Sequence, residues 1–183
     1  TRDSKRYKLT NDYKSEKAKL EEKAKEEGKT LCSTDDWKMA NEMIDRLHEC
    51  GLIKSHMSGD YQVEFNEEIP TAHGPVLVKG FLDCLGDGFI VDSKSTKSVS
   101  KFRYSVRDFG YDIQAYIYTK VFGVEDFYWV AQEKTYPYLP ALVKCSENTL
   151  FTGEMKFNDA LDRIVKFLDG KEKSTVYYEE YEV

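Results

Sequence analysis

The most informative segment of the sequence is KGFLDCLGDGFIVDSKST, residues 79–96. Apolar residues on both sides of the Gly-Asp-Gly sequence at 86–88 predict two strands joined by a tight turn, because Gly and Asp readily adopt the backbone conformations of hairpin turns. The first strand is predicted over 76–85 and the second over 89–94. An alternating segment at 61–65 predicts a strand before them, so the three strands are expected to form an antiparallel meander.

Two acidic side chains and a lysine come together in this stretch. Asp83 lies late in one predicted strand, and Asp92 and Lys94 lie at the end of the next. Side chains two residues apart share a face of a strand, and a tight hairpin can bring Asp83 beside the other two. Converging carboxylates need a neutralising charge, and hard oxygen ligands suit Mg²⁺ or Mn²⁺. With a lysine to stabilise developing negative charge, these groups suit phosphodiester hydrolysis.

A second feature lies downstream on a predicted helix. Gln114 and Tyr118 are four residues apart and therefore share one helix face. On its own this spacing is typical of a packing face, and Asp92 with Lys94 could equally be an ordinary ion pair at a strand end. Behind the Asp83 strand and the Asp-x-Lys strand, Gln114 and Tyr118 become candidate site residues.

Periodicity and turn residues predict the other elements. A polar cluster at Ser33–Asp36 is a typical helix N-cap, and Trp37 and Met43 in the helix after it are expected to pack in the core. The fold class is predicted as α+β, with a mixed central sheet flanked by helices. The further helices are expected over 12–27, 35–50, 105–121 and 147–168, and the further strands over 126–133 and 139–145.

Length and composition bound the class of protein. The 183 residues, 40% hydrophobic, suit one domain over 1–183 with a charged tail at 170–183 and no membrane span. The net charge of −6 argues against a protein that coats nucleic acid without specificity. The cysteines form no CxxC pair, which disfavours a zinc or iron–sulfur site and favours a reduced, cytoplasmic protein. These cysteines are Cys32, Cys50, Cys84 and Cys145.

The ordered combination of these motifs resembles a known family. A strand with GxxD at 80–83, a strand with DxK at 92–94 and a helix with QxxxY at 114–118 resemble the RecB-type branch of the PD-(D/E)xK nuclease superfamily. Within that branch the chain is most similar to RecE-like (exonuclease VIII-like) phage exonucleases. The segments FGYDIQAYIY (109–118) and FYWVAQEKTYPY (127–138) extend the similarity, which implies a restriction-endonuclease-like core.

The resemblance implies roles for individual residues. It makes Asp83 and Asp92 metal ligands and Lys94 the catalytic lysine. Gln114 and Tyr118 would be active-site helix residues that position DNA or water.

Two further points of the resemblance concern positions outside this set. Glu64 is a loose match to an upstream acidic residue of related nucleases, which would make it a further metal ligand. It fits equally well as an exposed residue of an alternating strand. Relatives often carry a histidine on an upstream helix. His48, His56 and His73 do not match it, so the corresponding segment is expected to precede Thr1.

The resemblance also implies an activity. The chain would be a Mg²⁺- or Mn²⁺-dependent DNA exonuclease that degrades linear duplex DNA from 5′ ends in phage-type recombination. It would form a ring-shaped homo-oligomer and leave single strands for an annealing protein. The alternatives are a RecB- or Cas4-like nuclease module and a catalytically inactive DNA-binding subunit with the same fold.

Overall fold

The computed structural model describes residues 11–170 of the chain. These residues fall into two compact units that divide between Glu42 and Met43. One domain over 1–183 therefore stays a prediction, and the tail predicted beyond Gly170 lies outside the described residues. None of the described helices is long and apolar enough to cross a membrane.

The first unit contains α1 (Asn11–Glu26) and the beginning of α2 (Thr34–Glu49). The predicted N-cap of α2 is present: Ser33 Oγ accepts the Asp36 N–H at 3.0 Å and donates to the Asp36 carboxylate at 2.7 Å. The expectation that Trp37 packs in the core is wrong, whereas Leu47, later in the same helix, packs against the buried cluster that includes Ile53. No residue of α2 is buried, and Trp37 is 63% exposed. Helical periodicity specifies an apolar face, but it does not specify the surface that covers it.

The second unit is built around a five-stranded sheet of order β1-β2-β3-β4-β5. The antiparallel meander of β1, β2 and β3 is confirmed, β4 runs parallel to β3, and β5 is antiparallel to β4. The predicted α+β fold with a mixed sheet flanked by helices is confirmed. The elements are α3 (Gly51–His56), β1 (Asp60–Thr71), β2 (Gly74–Leu85), β3 (Phe89–Thr96), a 3₁₀ turn (Val99–Lys101), α4 (Phe102–Asp108), α5 (Tyr111–Phe122), β4 (Asp126–Glu133), β5 (Pro140–Lys144) and α6 (Glu147–Leu168).

Each face of the sheet packs on its own apolar cluster. Ile90 and Trp129 belong to the cluster that includes α4 and α5, whereas Val91 and Val130 belong to the cluster that includes Ile53 of α3. Alternation along β3 therefore places Asp92 on the same face as Ile90, toward α5.

The prediction of one continuous helix over 105–121 is wrong, because two helices, α4 and α5, occupy this part of the chain. Gly110 adopts a left-handed conformation with φ of 69°, and it separates α4 from α5. The second helix does end just before Gly51, at Glu49, but Gly51 then begins a further helix, α3. A glycine indicates a break in a helix, but it does not indicate whether a new helix follows.

Strands β2 and β3 diverge soon after the turn that joins them. Their ladder comprises the pairs Cys84–Val91 and Leu85–Ile90, whereas β1 and β2 pair from Asp60–Leu85 to Thr71–Gly74, with Gln62 and Asp83 left out of the register. Asp83 and Asp92 are the next residues beyond the last paired positions. The divergence therefore opens the sheet where the two carboxylates lie.

Helices α5 and α6 approach each other closely at Gly153. A Cβ at Gly153 would lie 2.1 Å from the Asp112 backbone oxygen. Beside this contact the buried Asp112 carboxylate pairs with Lys156 Nζ at 2.6 Å. The absent side chain of Gly153 thus allows α6 to lie directly against α5.

Gly153→Ala tests this contact. Alanine favours a helix interior by about 1 kcal/mol over glycine, but the clash with backbone cannot be relieved by a side-chain rotation. We expect a net loss of about 1–3 kcal/mol in the free energy of unfolding, measured by urea titration. Gly51→Ala is the matched control, because a Cβ there meets nothing within 4 Å. A Gly153→Ala variant as stable as Gly51→Ala would contradict the packing.

Candidate active site

The buried carboxylate of Asp92 lies at the centre of the candidate site. Asp92 is only 3% exposed. Its Oδ1 accepts a hydrogen bond from Gln114 Nε2 at 3.0 Å, and its Oδ2 forms an ion pair with Lys94 Nζ. Lys94 Nζ also lies over the ring of Tyr111, 4.8 Å from its centroid. Strand β3 and helix α5 thus hold an acid, a base and an amide in one network.

Asp83 contacts β3 from the diverging end of β2. Its Oδ2 accepts the backbone N–H of Ser93 at 2.7 Å, and Gln62 Nε2 lies 3.4 Å from its Oδ1. The Asp83 carboxylate therefore bridges the gap between the separated strands and lies next to the residue that follows Asp92. Gln62 has a φ of 52°, a left-handed backbone conformation, at this point of β1.

Gln114 and Tyr118 extend the network across α5. Gln114 Nε2 also approaches the Tyr118 hydroxyl at 3.1 Å, and that hydroxyl donates to the Phe81 carbonyl oxygen at 3.1 Å. The hydrogen bonds connect β3, α5 and the part of β2 that has left the β3 ladder. The structure thus brings Asp83, Asp92, Lys94, Gln114 and Tyr118 together.

Glu64 and the histidines lie elsewhere. Glu64 is exposed on β1, opposite Phe81, and within residues 11–170 no hydrogen bond or ion pair joins it to the cluster. His56 packs against the rings of Phe89 and Tyr128, and His73 pairs with Asp162. A metal-ligand role for Glu64 stays a prediction. The four cysteines are free thiols.

Sequence reasoning did not identify Tyr111, Gln62 or the Ser93 amide as parts of the site. Tyr111 begins α5 directly after Gly110, and its ring supports the Lys94 ammonium. Gly110, directly before Tyr111, was the sequence feature that could have indicated Tyr111, because a new helix begins after it. Gln62 and Ser93 carried no signal, because their contacts depend on where β2 leaves β3.

The pKa of Asp92 is shifted mainly by its burial. Removal from water is the largest effect, and it raises the pKa of Asp92. The hydrogen bond and charge of Lys94 lower this pKa, the Asp83 carboxylate raises it, and the Gln114 hydrogen bond lowers it. Such a perturbed acid beside a second carboxylate is typical of functional sites.

The donor set fits a divalent metal ion of the magnesium type. Asp92 Oδ2 is buried, and Lys94 Nζ is the one partner that the described residues give it, so it has capacity for a further ligand. Mg²⁺ commonly takes one or two protein carboxylates and keeps several waters. Asp83 and Asp92 supply two such groups. Within residues 11–170, no cluster of three or more His, Cys, Asp and Glu side chains suits a metal.

The family of the chain agrees with this arrangement. Residues 4–181 match a family described as a PDDEXK-like domain of unknown function (DUF3799), and the chain belongs to that family. The assignment to the PD-(D/E)xK superfamily is thereby confirmed. A comparison with curated proteins gives no match.

One solved structure shows the same fold. A crystal structure from Eubacterium rectale, described as a “Putative exonuclease”, superposes with a TM-score of 0.66 at 22% sequence identity and covers 87% of this chain. The chain spans 64% of the length of that structure. A second structure, of a protein named SSO0001, has a TM-score of 0.40 at 19% identity and covers 61% of this chain and 55% of its own. That likeness is too weak to bear on the fold.

The pH dependence of stability tests the burial of Asp92. Because burial raises its pKa above the ordinary 3.8, the folded protein holds the proton to higher pH than the unfolded chain does. Stability therefore falls as pH rises through the interval between these two pKa values. We expect Asp92→Asn, measured by urea unfolding in EDTA, to be more stable than wild type at neutral pH, with the difference shrinking as pH falls. A less stable variant at neutral pH would show that pairing with Lys94 outweighs burial.

Proposed function

We propose that the chain is a metal-dependent nuclease that hydrolyses DNA phosphodiester bonds. One observation carries the proposal: Asp83, Asp92 and Lys94 meet where β2 and β3 diverge, in a chain of a PDDEXK-like family. Two carboxylates and an ammonium are the groups that metal-assisted hydrolysis of a phosphodiester requires.

Each residue of the cluster has a role in this chemistry. A divalent ion held by Asp83 and Asp92 would polarise the scissile phosphate and activate water. Lys94, beside Asp92, would stabilise the negative charge that develops on the phosphate oxygens. Gln114 fixes the orientation of the Asp92 carboxylate through Oδ1 and so leaves Oδ2 toward Lys94. Tyr118 holds α5 to the diverging part of β2 through the Phe81 carbonyl.

The distribution of charge favours a nucleic acid substrate. The net charge of the chain is −6, yet the segment 94–107 contains five basic residues and no acidic one. This segment begins at the candidate catalytic lysine and continues into α4, where Arg107 pairs with Asp108 at 3.0 Å. A local basic surface beside an acidic metal site attracts phosphates and offsets the overall negative charge. The basic residues are Lys94, Lys97, Lys101, Arg103 and Arg107.

The finer proposal concerns the mode of action. The motif order resembles RecE-like phage exonucleases, and the Eubacterium rectale structure carries an exonuclease description. We therefore propose action from 5′ ends of linear duplex DNA in phage-type recombination, with Mg²⁺ (or Mn²⁺) as the ion. A homo-oligomer and a single-strand annealing partner in the cytoplasm belong to the same proposal.

Digestion of end-labelled linear duplex, compared with closed circular DNA of the same sequence, tests the activity. We expect release of nucleotides from the linear substrate with Mg²⁺, none in EDTA, and no cutting of the circle. Cutting of the circle would favour a RecB-like endonuclease module. Binding of DNA without any hydrolysis in Mg²⁺ or Mn²⁺ would favour the inactive DNA-binding subunit.

Lys94→Ala tests the catalytic lysine. Loss of a preorganised charge that acts in the transition state lowers kcat by about 100-fold or more, with DNA binding largely retained. The measurement is the initial rate on linear duplex together with affinity in EDTA.

Lys144→Ala is the matched control for Lys94→Ala. Lys144 forms an exposed ion pair with Asp126 at 2.7 Å, away from the cluster, so its loss should leave the rate unchanged. Equal rates for wild type and Lys94→Ala would assign Lys94 to an ordinary structural ion pair.

A further inference from the structure

The Lys94 ammonium has two partners among the described residues, the Asp92 carboxylate and the ring of Tyr111. Nζ forms the ion pair with Asp92 Oδ2 and lies 4.8 Å from the centroid of the Tyr111 ring. The Lys94 side chain is only 17% exposed, so water solvates it poorly. At such a place an aromatic face stabilises an ammonium more than it does at an exposed site.

The carboxylate that pairs with Lys94 is also the one that the proposed metal ion needs. Asp92 Oδ1 accepts the hydrogen bond from Gln114, which leaves Oδ2 both for Lys94 and for the ion. Two cations at one carboxylate oxygen repel each other and share its negative charge. The attraction of Asp92 for Lys94 would therefore weaken when the ion is bound, whereas the Tyr111 ring stays available to the ammonium.

Neighbouring residues fix the Tyr111 ring in place. Tyr111 is the first residue of α5 and follows the left-handed Gly110. The buried Phe102 stacks on its ring, with centroids 6.1 Å apart and an angle of 30° between the two planes. The Tyr111 hydroxyl forms no hydrogen bond with the described residues. The face of the ring, and not the hydroxyl, is thus the part of Tyr111 that lies at Lys94.

We propose that Tyr111 is a positioning residue for the candidate catalytic lysine. The face of its ring holds the Lys94 ammonium at the site while the Asp92 carboxylate binds the metal ion. The proposal rests on the proposed nuclease function, in which Lys94 stabilises the negative charge that develops on the scissile phosphate. Tyr111 acts in this reaction through Lys94 alone.

Initial rates on linear duplex DNA with Mg²⁺ test the positioning role. A cation–π contact predicts that Tyr111→Leu lowers kcat by about 2- to 30-fold, with KM and with DNA affinity in EDTA unchanged. Tyr111→Phe keeps the face of the ring and loses the hydroxyl. It is expected to retain the wild-type rate.

The Lys94→Ala background separates positioning from packing. Because the ammonium is absent there, Tyr111→Leu is expected to cause no further loss of rate in that background. Phe109→Leu is the matched control. Phe109 is 69% exposed and packs against the Tyr111 ring, with centroids 5.7 Å apart, but the contact with Lys94 belongs to Tyr111. Phe109→Leu is expected to keep the wild-type rate.

NMR of protein labelled with ¹³C at the lysine Cε gives a readout that needs no hydrolysis. Nuclei over the face of an aromatic ring are shielded, so the Lys94 Hε signal is expected upfield of the signal of an exposed lysine such as Lys97. The Lys94 signal is identified by its absence in Lys94→Arg. Tyr111→Leu is expected to abolish the upfield shift and Tyr111→Phe to keep it. In wild type the shift is expected to persist when Mg²⁺ is added.

Three results would overturn the positioning role: an unchanged kcat in Tyr111→Leu, an equal loss of rate from Tyr111→Leu in the Lys94→Ala background, or loss of the upfield shift when Mg²⁺ is added to wild type. The nuclease function fails separately. Absence of hydrolysis by wild type would reject that function and the catalytic role of Tyr111 with it. The Lys94 signal would still decide whether the Tyr111 ring holds the ammonium.

Discussion

The buried carboxylate of Asp92 is the constraint on which the rest of the site depends. A charge removed from water is costly, so its surroundings must supply a cation and a hydrogen-bond donor. Lys94 and Gln114 meet these needs from β3 and α5. Tyr111 then lies under Lys94, and Tyr118 joins Gln114 to β2. The cluster is thus both a polar network that fixes α5 on the sheet and a set of groups suited to metal-assisted hydrolysis.

The divergence of β2 from β3 makes this network possible. A continued ladder would fill the space between the strands with backbone hydrogen bonds. Instead, Asp83 accepts the Ser93 amide, and Tyr118 donates to the Phe81 carbonyl, so side chains satisfy backbone groups beside the gap.

Stability and function make opposite demands at this site. Burial raises the pKa of Asp92, which means that the ionised form, which the proposed metal binding would need, costs folding free energy. A second carboxylate nearby, Asp83, adds to that cost. A divalent ion would relieve both costs, and this relief supports the proposal that the pair holds a metal.

The sequence by itself determined the hairpin, the three-stranded meander and the identity of the acid–lysine strand, because turn residues and alternation are local signals. It also indicated Gln114 and Tyr118, because their shared helix face follows the Asp83 strand and the Asp-x-Lys strand. It did not determine the break at Gly110, the exposure of Trp37, or the parts played by Tyr111, Gln62 and the Ser93 amide. These depend on where β2 leaves β3 and on which surfaces meet. Only the tertiary structure decides such contacts, because they join residues distant in the chain whose local patterns are the same with or without the contact.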